Sequence, residues 1–233
     1  MSGMAPMMTR TQSVAFDDLV GRLSHDLRSP VRAMVEVARW IAEDMQDQGL
    51  AENAVLREHI DLLQQRGERL QNLVSDLTAY DAVGASAARF EGDWPRLIQD
   101  ITKAVQGLGA MDFHWTAQGC PDIASKDLYR LLVTLLSNAC KHHDKPDGHI
   151  SLTASDGAGY YVLQVQDDGP GIDPQLAPRM FEPLSTLEGR DQVEGSGLGL
   201  SIAARIVRLY GGQIALEPVQ PGRGCSATVT LPH

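Results

Sequence analysis

The sequence predicts an α+β chain, in which a long helical hairpin precedes a sandwich of one sheet and one helical layer. Three observations carry this reading. From Phe16 to about Tyr80, apolar residues recur in steps of three and four, the spacing of one helix face. Val83-Gly84-Ala85-Ser86-Ala87-Ala88 is small and flexible in composition and reads as a linker. Beyond it, strand-like and helix-like runs mix without strict alternation, which favours a sandwich of one sheet and one helical layer. The boundaries fall at 15–82 for the hairpin, 83–88 for the linker and 89–233 for the sandwich.

The first helix carries Phe16, Val20, Leu23, Leu27, Val31, Met34, Ala38, Ile41 and Met45 on one stripe. Asp47-Gln48-Gly49 is the expected turn, with glycine after the helix end. A second stripe follows: Val55, His59, Leu62 or Leu63, Leu70, Leu73, Leu77 and Tyr80. Two long helices with a short connection make an antiparallel hairpin. A lone hairpin has almost no interior. Pairing with a second copy would bury both stripes in a four-helix bundle, so a homodimer through residues 15–82 is expected. Packing against the chain's own C-terminal region is the alternative.

In the second region Phe90 to Trp94 reads as a short strand. Pro95 suits the first turn of a helix that runs to about Gln106. Met111 to Thr116 reads as a strand, and Ser125 to His143 as an amphipathic helix with Ser125 as its cap. Ile150–Ala154 and Tyr160–Val165 flank a turn and form a hairpin. Leu198 to Tyr210 is a further helix, ended by Gly211-Gly212. Gln213–Glu217 and Ser226–Leu231 close the chain as strands.

Composition narrows the function. Of 233 residues, 43% are hydrophobic and 21% charged, an ordinary globular balance. The net charge of −10, with no Lys/Arg cluster, argues against a nucleic-acid partner. Cys120, Cys140 and Cys225 are far apart and form no CxxC pair, so reduced thiols in a cytoplasmic protein are expected. No apolar run is long enough to span a bilayer. His142, His143 and His149 show no zinc-motif spacing, and His114 and His233 carry no signal.

Three glycine clusters stand in the second region: Asp167-Asp168-Gly169-Pro170-Gly171-Ile172, Gly195-Ser196-Gly197-Leu198-Gly199-Leu200 and Gly222-Arg223-Gly224. Glycines let backbone approach a ligand closely. The second cluster opens a helix, whose free N–H groups suit phosphate oxygens. It is no Walker loop, because no Gly-Lys-Ser/Thr follows, and it lacks a Rossmann context. On the preceding helix, Asn138 offers an oxygen for Mg²⁺ and Lys141 a charge for phosphate.

Taken in order, the Asn138 segment, the first cluster, Met180-Phe181-Glu182-Pro183, the second cluster and the third with Leu231-Pro232 resemble the successive nucleotide boxes of sensor histidine kinases. The resemblance covers about Arg89 to the C-terminus. It implies an ATP-binding domain using ATP and Mg²⁺. By it, Asp167 accepts a hydrogen bond from the adenine amino group and Asn138 binds the magnesium. Lys141 and His142 approach the nucleotide, and Gly169 and Gly171 shape the adenine pocket. Gly195, Gly197 and Gly199, with Leu198 between them, border the phosphates. About Pro183 to Glu194 would be a mobile lid, with Arg190 its one basic residue. Two departures stand out. Thr134 occupies the place of a second Asn one turn before Asn138, which weakens the expected metal binding. Ala227 stands where the third box usually has an aromatic, read as a packing change.

Leu23-Ser24-His25-Asp26-Leu27-Arg28-Ser29-Pro30 resembles the phosphoacceptor box of the same family. His25 lies two residues from Leu23 and from Leu27, roughly 200° round the helix from each, so it points outward. Neutral imidazole is a competent nucleophile near neutral pH. Asp26 is placed to orient the ring or accept its proton. Pro30 should bend the helix. By resemblance His25 is the phosphoacceptor and Asp26 its general base. Ser29 sits where the family often has a residue that helps water attack a regulator's phospho-aspartate. The expected activity is autophosphorylation of His25 from ATP, transfer to an aspartate on a response regulator receiver domain, and regulator dephosphorylation. The rival is a phosphotransfer protein whose kinase-like domain no longer binds ATP. With 24 residues before His25, sensing is expected from a separate sensor domain or protein.

Overall fold

The computed structural model describes residues 27, 29–45, 54–183, 197–219 and 223–233. The chain divides between Ala82 and Val83 into two compact units. The first contains helix α1, over 29–45, and helix α2, Ala54–Asp81. Val31, Ala38 and Met45 are the buried residues of α1; Ile60, Gly67 and Val74 are those of α2. Both sets step by seven, the repeat of a narrow coiled-coil seam. Gly67 marks a close approach, since a Cβ there would lie 2.5 Å from Val35 Cγ2. That contact accounts for a mid-helix glycine that otherwise costs about 1 kcal/mol.

The first expected stripe contains its seam and is wider than it, whereas the second contains none of Ile60, Gly67 and Val74. Leu27, Met34 and Ile41 of the first are exposed, as are Val55, His59, Leu62, Leu63 and Leu70 of the second. One partner helix covers about two positions per heptad, so these residues face outward in the single chain. Phe16, Val20, Leu23 and the turn at Asp47-Gln48-Gly49 lie outside the described residues.

The second unit is built on five strands: β1 Asp112–Ala117, β2 His149–Asp156, β3 Tyr160–Asp167, β4 Gln213–Pro218 and β5 Cys225–Pro232. Their order is β1-β2-β3-β5-β4. β1 and β2 are parallel and the other pairs antiparallel. Strand alternation puts Ile150, Leu152 and Ala154 of β2 on one face with Tyr161, Leu163 and Val165 of β3 and Ala227, Val229 and Leu231 of β5, all buried. Helices α3 Trp94–Ala104, α4 Ser125–Lys141 and α5 Gly199–Leu209 form the covering layer. Leu128, Leu131, Leu132, Leu135 and Leu136 of α4 are almost wholly buried. α4 also lies in the crossover joining parallel strands β1 and β2, which no tight turn could join. This mixed sheet with one helical layer is the sandwich expected from the sequence. No helix among the described residues is long and apolar enough to cross a membrane.

Two local expectations are corrected. Phe90 to Trp94 forms no strand: Gly92 turns at φ +84° and Trp94 already begins α3, capped by Asp93, which accepts from Arg96 N. Only an isolated bridge, Arg89 to Ala124, survives there. Ser125 is not the cap of α4 but its first residue; Ala124 holds the extended cap position, and the Ser125 hydroxyl donates to Arg89 O at 2.9 Å.

One buried carboxylate ties three segments of this unit. Asp127, 1% exposed, accepts from the Tyr210 hydroxyl at 2.7 Å and from Gly84 N at 3.2 Å. The Tyr210 oxygen in turn accepts from Ala124 N. Asp127→Ala leaves two donors without their acceptor and is expected to cost about 1–3 kcal/mol, read as a lowered midpoint in urea unfolding. Asp127→Asn, which keeps an acceptor oxygen, should lose less.

Candidate functional site

A pocket opens in the second unit between α4 and the sheet. Leu135, Asn138 and Ala139 reach it from α4 and His142 from the cap just after it, at helical spacing, so they share one side. Val165 and Asp167 end β3 at its wall, and Gly171 and Ile172 follow. Leu216, Cys225 and Ala227 come from β4 and β5, Leu200 from the first turn of α5, and Met180 from the turn at 177–181. The space is about 630 Å³ including its open mouth. Apolar walls with a few convergent polar groups are the usual make-up of a small-molecule site.

Asp167 organises the polar side. Its Oδ1 accepts from Gly169 N at 2.9 Å and from Cys225 N at 3.1 Å. The first bond curls the chain back after β3; the second ties it to the start of β5. Gly171, at φ +82°, has Gly224 O 3.0 Å from where a Cβ would stand. Gly224, at φ +115°, is tighter still: any Cβ would collide with Asp167 O. These two glycines therefore serve backbone-to-backbone packing as well as turning.

The two neighbouring carboxyls respond oppositely to their surroundings. Burial pushes Asp167 up, against the two N–H groups that favour its charged form. The His149 N–H and then the His143 ring hold Asp168 down. Asp168 Oδ1 lies 2.8 Å from His143 Nε2 and 2.7 Å from His149 N. His143 Nδ1 lies 3.0 Å from both Lys145 N and Lys145 O, while Nε2 faces the Asp168 carboxylate, which can only accept when charged. The ring lies where a Cβ on Gly148 would be, which requires glycine there. Burial, and then Asp167, push the Cys225 thiol up to about 11.

Of the residues singled out in the sequence, Asn138, His142, Asp167 and Gly171 line the pocket. Gly169 acts through its N–H on Asp167. Gly197, at φ +71°, and buried Leu198 lead into α5, which Gly199 opens. A Cβ on Gly199 would lie 3.4 Å from Thr134 Cγ2, so Thr134 fills the space between α4 and the start of α5. Lys141 is exposed at the end of α4 and does not line the pocket. Ser29 is exposed on α1, in the other unit. His25, Asp26, Arg190 and Gly195 lie outside the described residues. Met180 belongs to a box the sequence pointed to, whereas Leu135, Cys225 and His143 carried no site signal of their own there. Helical spacing from Asn138 was a signal for Leu135; nothing local pointed to His143. Ala227, read as a packing change, is part of the pocket wall.

The signs of the two carboxyl shifts make a testable pair. Asp168 is favoured in its charged form by folding, so its contribution is full above the ordinary carboxylate value of about 3.9 and is lost as pH falls through its lowered folded value. Asp167 is disfavoured when charged, so at neutral pH it costs stability. Thermal unfolding at pH 7 should show a lower midpoint for Asp168→Asn. Asp167→Asn keeps an oxygen for both N–H groups and should hold or raise the midpoint.

Comparison with known proteins agrees with this geometry. Residues 123–233 match the family of histidine kinase-, DNA gyrase B- and HSP90-like ATPases. The sensor protein kinase CarS of Pseudomonas aeruginosa is 34% identical over 91% of this chain and 45% of its own length. Full-length ShkA, crystallised with AMPPNP, superposes with a TM-score of 0.65 at 25% identity, over 93% of this chain and 46% of that one. Histidine kinase ThkA, in complex with the response regulator protein TrrA, shares the fold with a TM-score of 0.59 at 18% identity, over 92% of this chain and 62% of that one. The chain spans less than half the length of its leading curated relatives. Residues 123–233 thus form an ATPase-type domain of the histidine kinase, gyrase B and HSP90 kind, and the chain has the make-up of a sensor histidine kinase catalytic core.

Proposed function

We propose that this chain takes the γ-phosphoryl group of ATP onto His25 and passes it to an aspartate on a response regulator receiver domain. The observation that carries the nucleotide half is Asp167. Both backbone N–H bonds fall on its Oδ1, and its Oδ2 is left to accept from an exocyclic amine of a base lying between the apolar walls. A carboxylate kept in a setting that disfavours its charge is explained by such a ligand, since stability alone would remove it. Asn138 lies on the same wall and offers the oxygen that a nucleotide-bound Mg²⁺ favours. Mg²⁺ arriving with ATP would neutralise charge on the phosphates. His142 stands one turn on from Asn138, and Gly197, Leu198 and Gly199 lead into α5, whose first turn contributes Leu200 to the pocket.

The transfer itself rests on the sequence of the phosphoacceptor box. A lone pair on the His25 ring attacks the γ-phosphorus, the bond to the bridging oxygen breaks, and ADP leaves with those electrons. Asp26 takes the ring proton. Catalysis is chiefly positioning and charge neutralisation. The second transfer draws support from ThkA, crystallised with a response regulator. Ser29, exposed on α1, stands at the sequence position from which it would assist a water attacking the regulator's phospho-aspartate, releasing phosphate and the free aspartate. Self-association through residues 15–82 is supported by the outward apolar residues of α1 and α2; Met34 is 58% exposed, Trp40 53% and Leu62 49%. A second copy would convert the two helices into a four-helix bundle.

Incubation with γ-labelled ATP tests the central claim. Wild type should acquire acid-labile, alkali-stable label, and both His25→Ala and Asn138→Ala should lose it. Label that survives His25→Ala would overturn the assignment. Asp167→Asn tests the pocket separately. Its amide nitrogen replaces Oδ2 and sets a donor against the adenine amino group, so binding of a fluorescent ATP analogue should weaken about tenfold or more while the fold is kept.

A further inference from the structure

We propose that Asp112, His114 and His149 form a surface site for a divalent first-row transition metal, with Zn²⁺ the ion their donor set suits. The three residues meet through strand pairing. Asp112 sits directly opposite His149 in the parallel β1–β2 register, and His114, two residues on, shares its face. Asp112 Oδ1 is 2.9 Å from His114 Nε2, and its Oδ2 is 3.1 Å from His149 Nδ1. The ring centroids are 5.3 Å apart, and one donor atom from each residue lies within 4.8 Å of the others. Among the described residues this is the only such group of three.

The separations approach those of a coordination shell. Bonds of about 2.0–2.2 Å to nitrogen and oxygen at tetrahedral angles put neighbouring ligand atoms about 3.3–3.6 Å apart around zinc. Asp112 reaches His114 through Oδ1 at 2.9 Å and His149 through Oδ2 at 3.1 Å, a few tenths of an ångström inside that separation, and small side-chain rotations bring the two nitrogens and the carboxylate into one shell. Two imidazoles and one carboxylate are a donor set for Zn²⁺ and its first-row neighbours; Mg²⁺ and Ca²⁺ prefer all-oxygen surroundings. The backbone beneath is fixed: Asp112 N donates to Gly148 O at 2.9 Å, and His149 N to Asp168 Oδ1 at 2.7 Å. The side chains themselves are open, 64% exposed for Asp112, 68% for His114 and 48% for His149. Metal can therefore enter directly, with water completing the shell. This site is independent of the nucleotide pocket and of the proposed kinase reaction.

Calorimetric titration of the full chain with ZnCl₂, in excess MgCl₂ and without nucleotide, tests the proposal. Wild type should bind one Zn²⁺ saturably in the micromolar range. His114→Ala and His149→Ala should each weaken binding by about tenfold or more, at least what loss of a supporting residue costs. His59→Ala, on exposed α2, should bind as wild type. Co²⁺ should give a visible ligand-field band with wild type that both variants lose. All three ligands are exposed, so the metal-free variants should keep the wild-type thermal midpoint; Asp112→Asn replaces any that does not. Absence of saturable Zn²⁺ binding by wild type, or equal binding by the double His114→Ala, His149→Ala variant, would overturn the site.

Discussion

The pocket depends on one crowded junction, where the end of β3 and the start of β5 meet backbone to backbone. Gly224 lies against Asp167 O with no room for a side chain, and Gly171 lies against Gly224. The Asp167 carboxylate closes the junction by accepting from Gly169 and Cys225. Without these bonds the loop after β3 would have no reason to fold back over the sheet, and the wall facing α4 would be missing. One carboxylate thus both builds the wall and presents an oxygen to whatever lies against it. Burial opposes its charge, so the junction carries a local cost in stability, which the proposed nucleotide role would explain.

The hairpin follows a different logic. Its interior is a line of single contacts every seven residues: Val31, Ala38 and Met45 on α1, and Ile60, Gly67 and Val74 on α2. Two small residues, Ala38 and Gly67, set how closely the helices pack. The larger apolar side chains, Trp40 and Met34 among them, face away from that line. Among the described residues, many of the hairpin's large apolar side chains are therefore exposed within one chain, unlike the second unit, where the leucines of α4 are closed off. Aliphatic residues are thus closed off in one unit and left facing outward in the other within a single chain.

How much of this was legible in the sequence varies with how local the physics is. The sandwich, the β2–β3 hairpin and the glycine turns were readable because alternation, turn residues and positive-φ glycines act over a few neighbouring positions. Asn138 and His142 on one wall follow from helical spacing. The seam of α2 was missed because apolar steps of three and four fit more than one face of this helix and do not say which face one partner helix will cover; Ile60, Gly67 and Val74 are decided by the companion helix. Ser125 looked like a cap by residue type, yet the bridge between Arg89 and Ala124 moved the boundary. Strand register hid the most. His114 and His149 are far apart in the chain, and only the parallel pairing of β1 with β2 sets both beside Asp112. His143 is similar, since its partner Asp168 belongs to a loop on the next strand.

A sulfur in a pocket wall is ordinarily what oxidants and alkylating agents reach first. Cys225 faces the same space as Asp167, yet burial and that carboxylate push its thiol up to about 11. At neutral pH only on the order of one thiol in ten thousand is ionised, and the ionised form is the reactive one. Burial, helped by the carboxylate that shapes the pocket, thereby passivates this wall, so peroxide or an electrophilic inhibitor would find little chemical purchase on it.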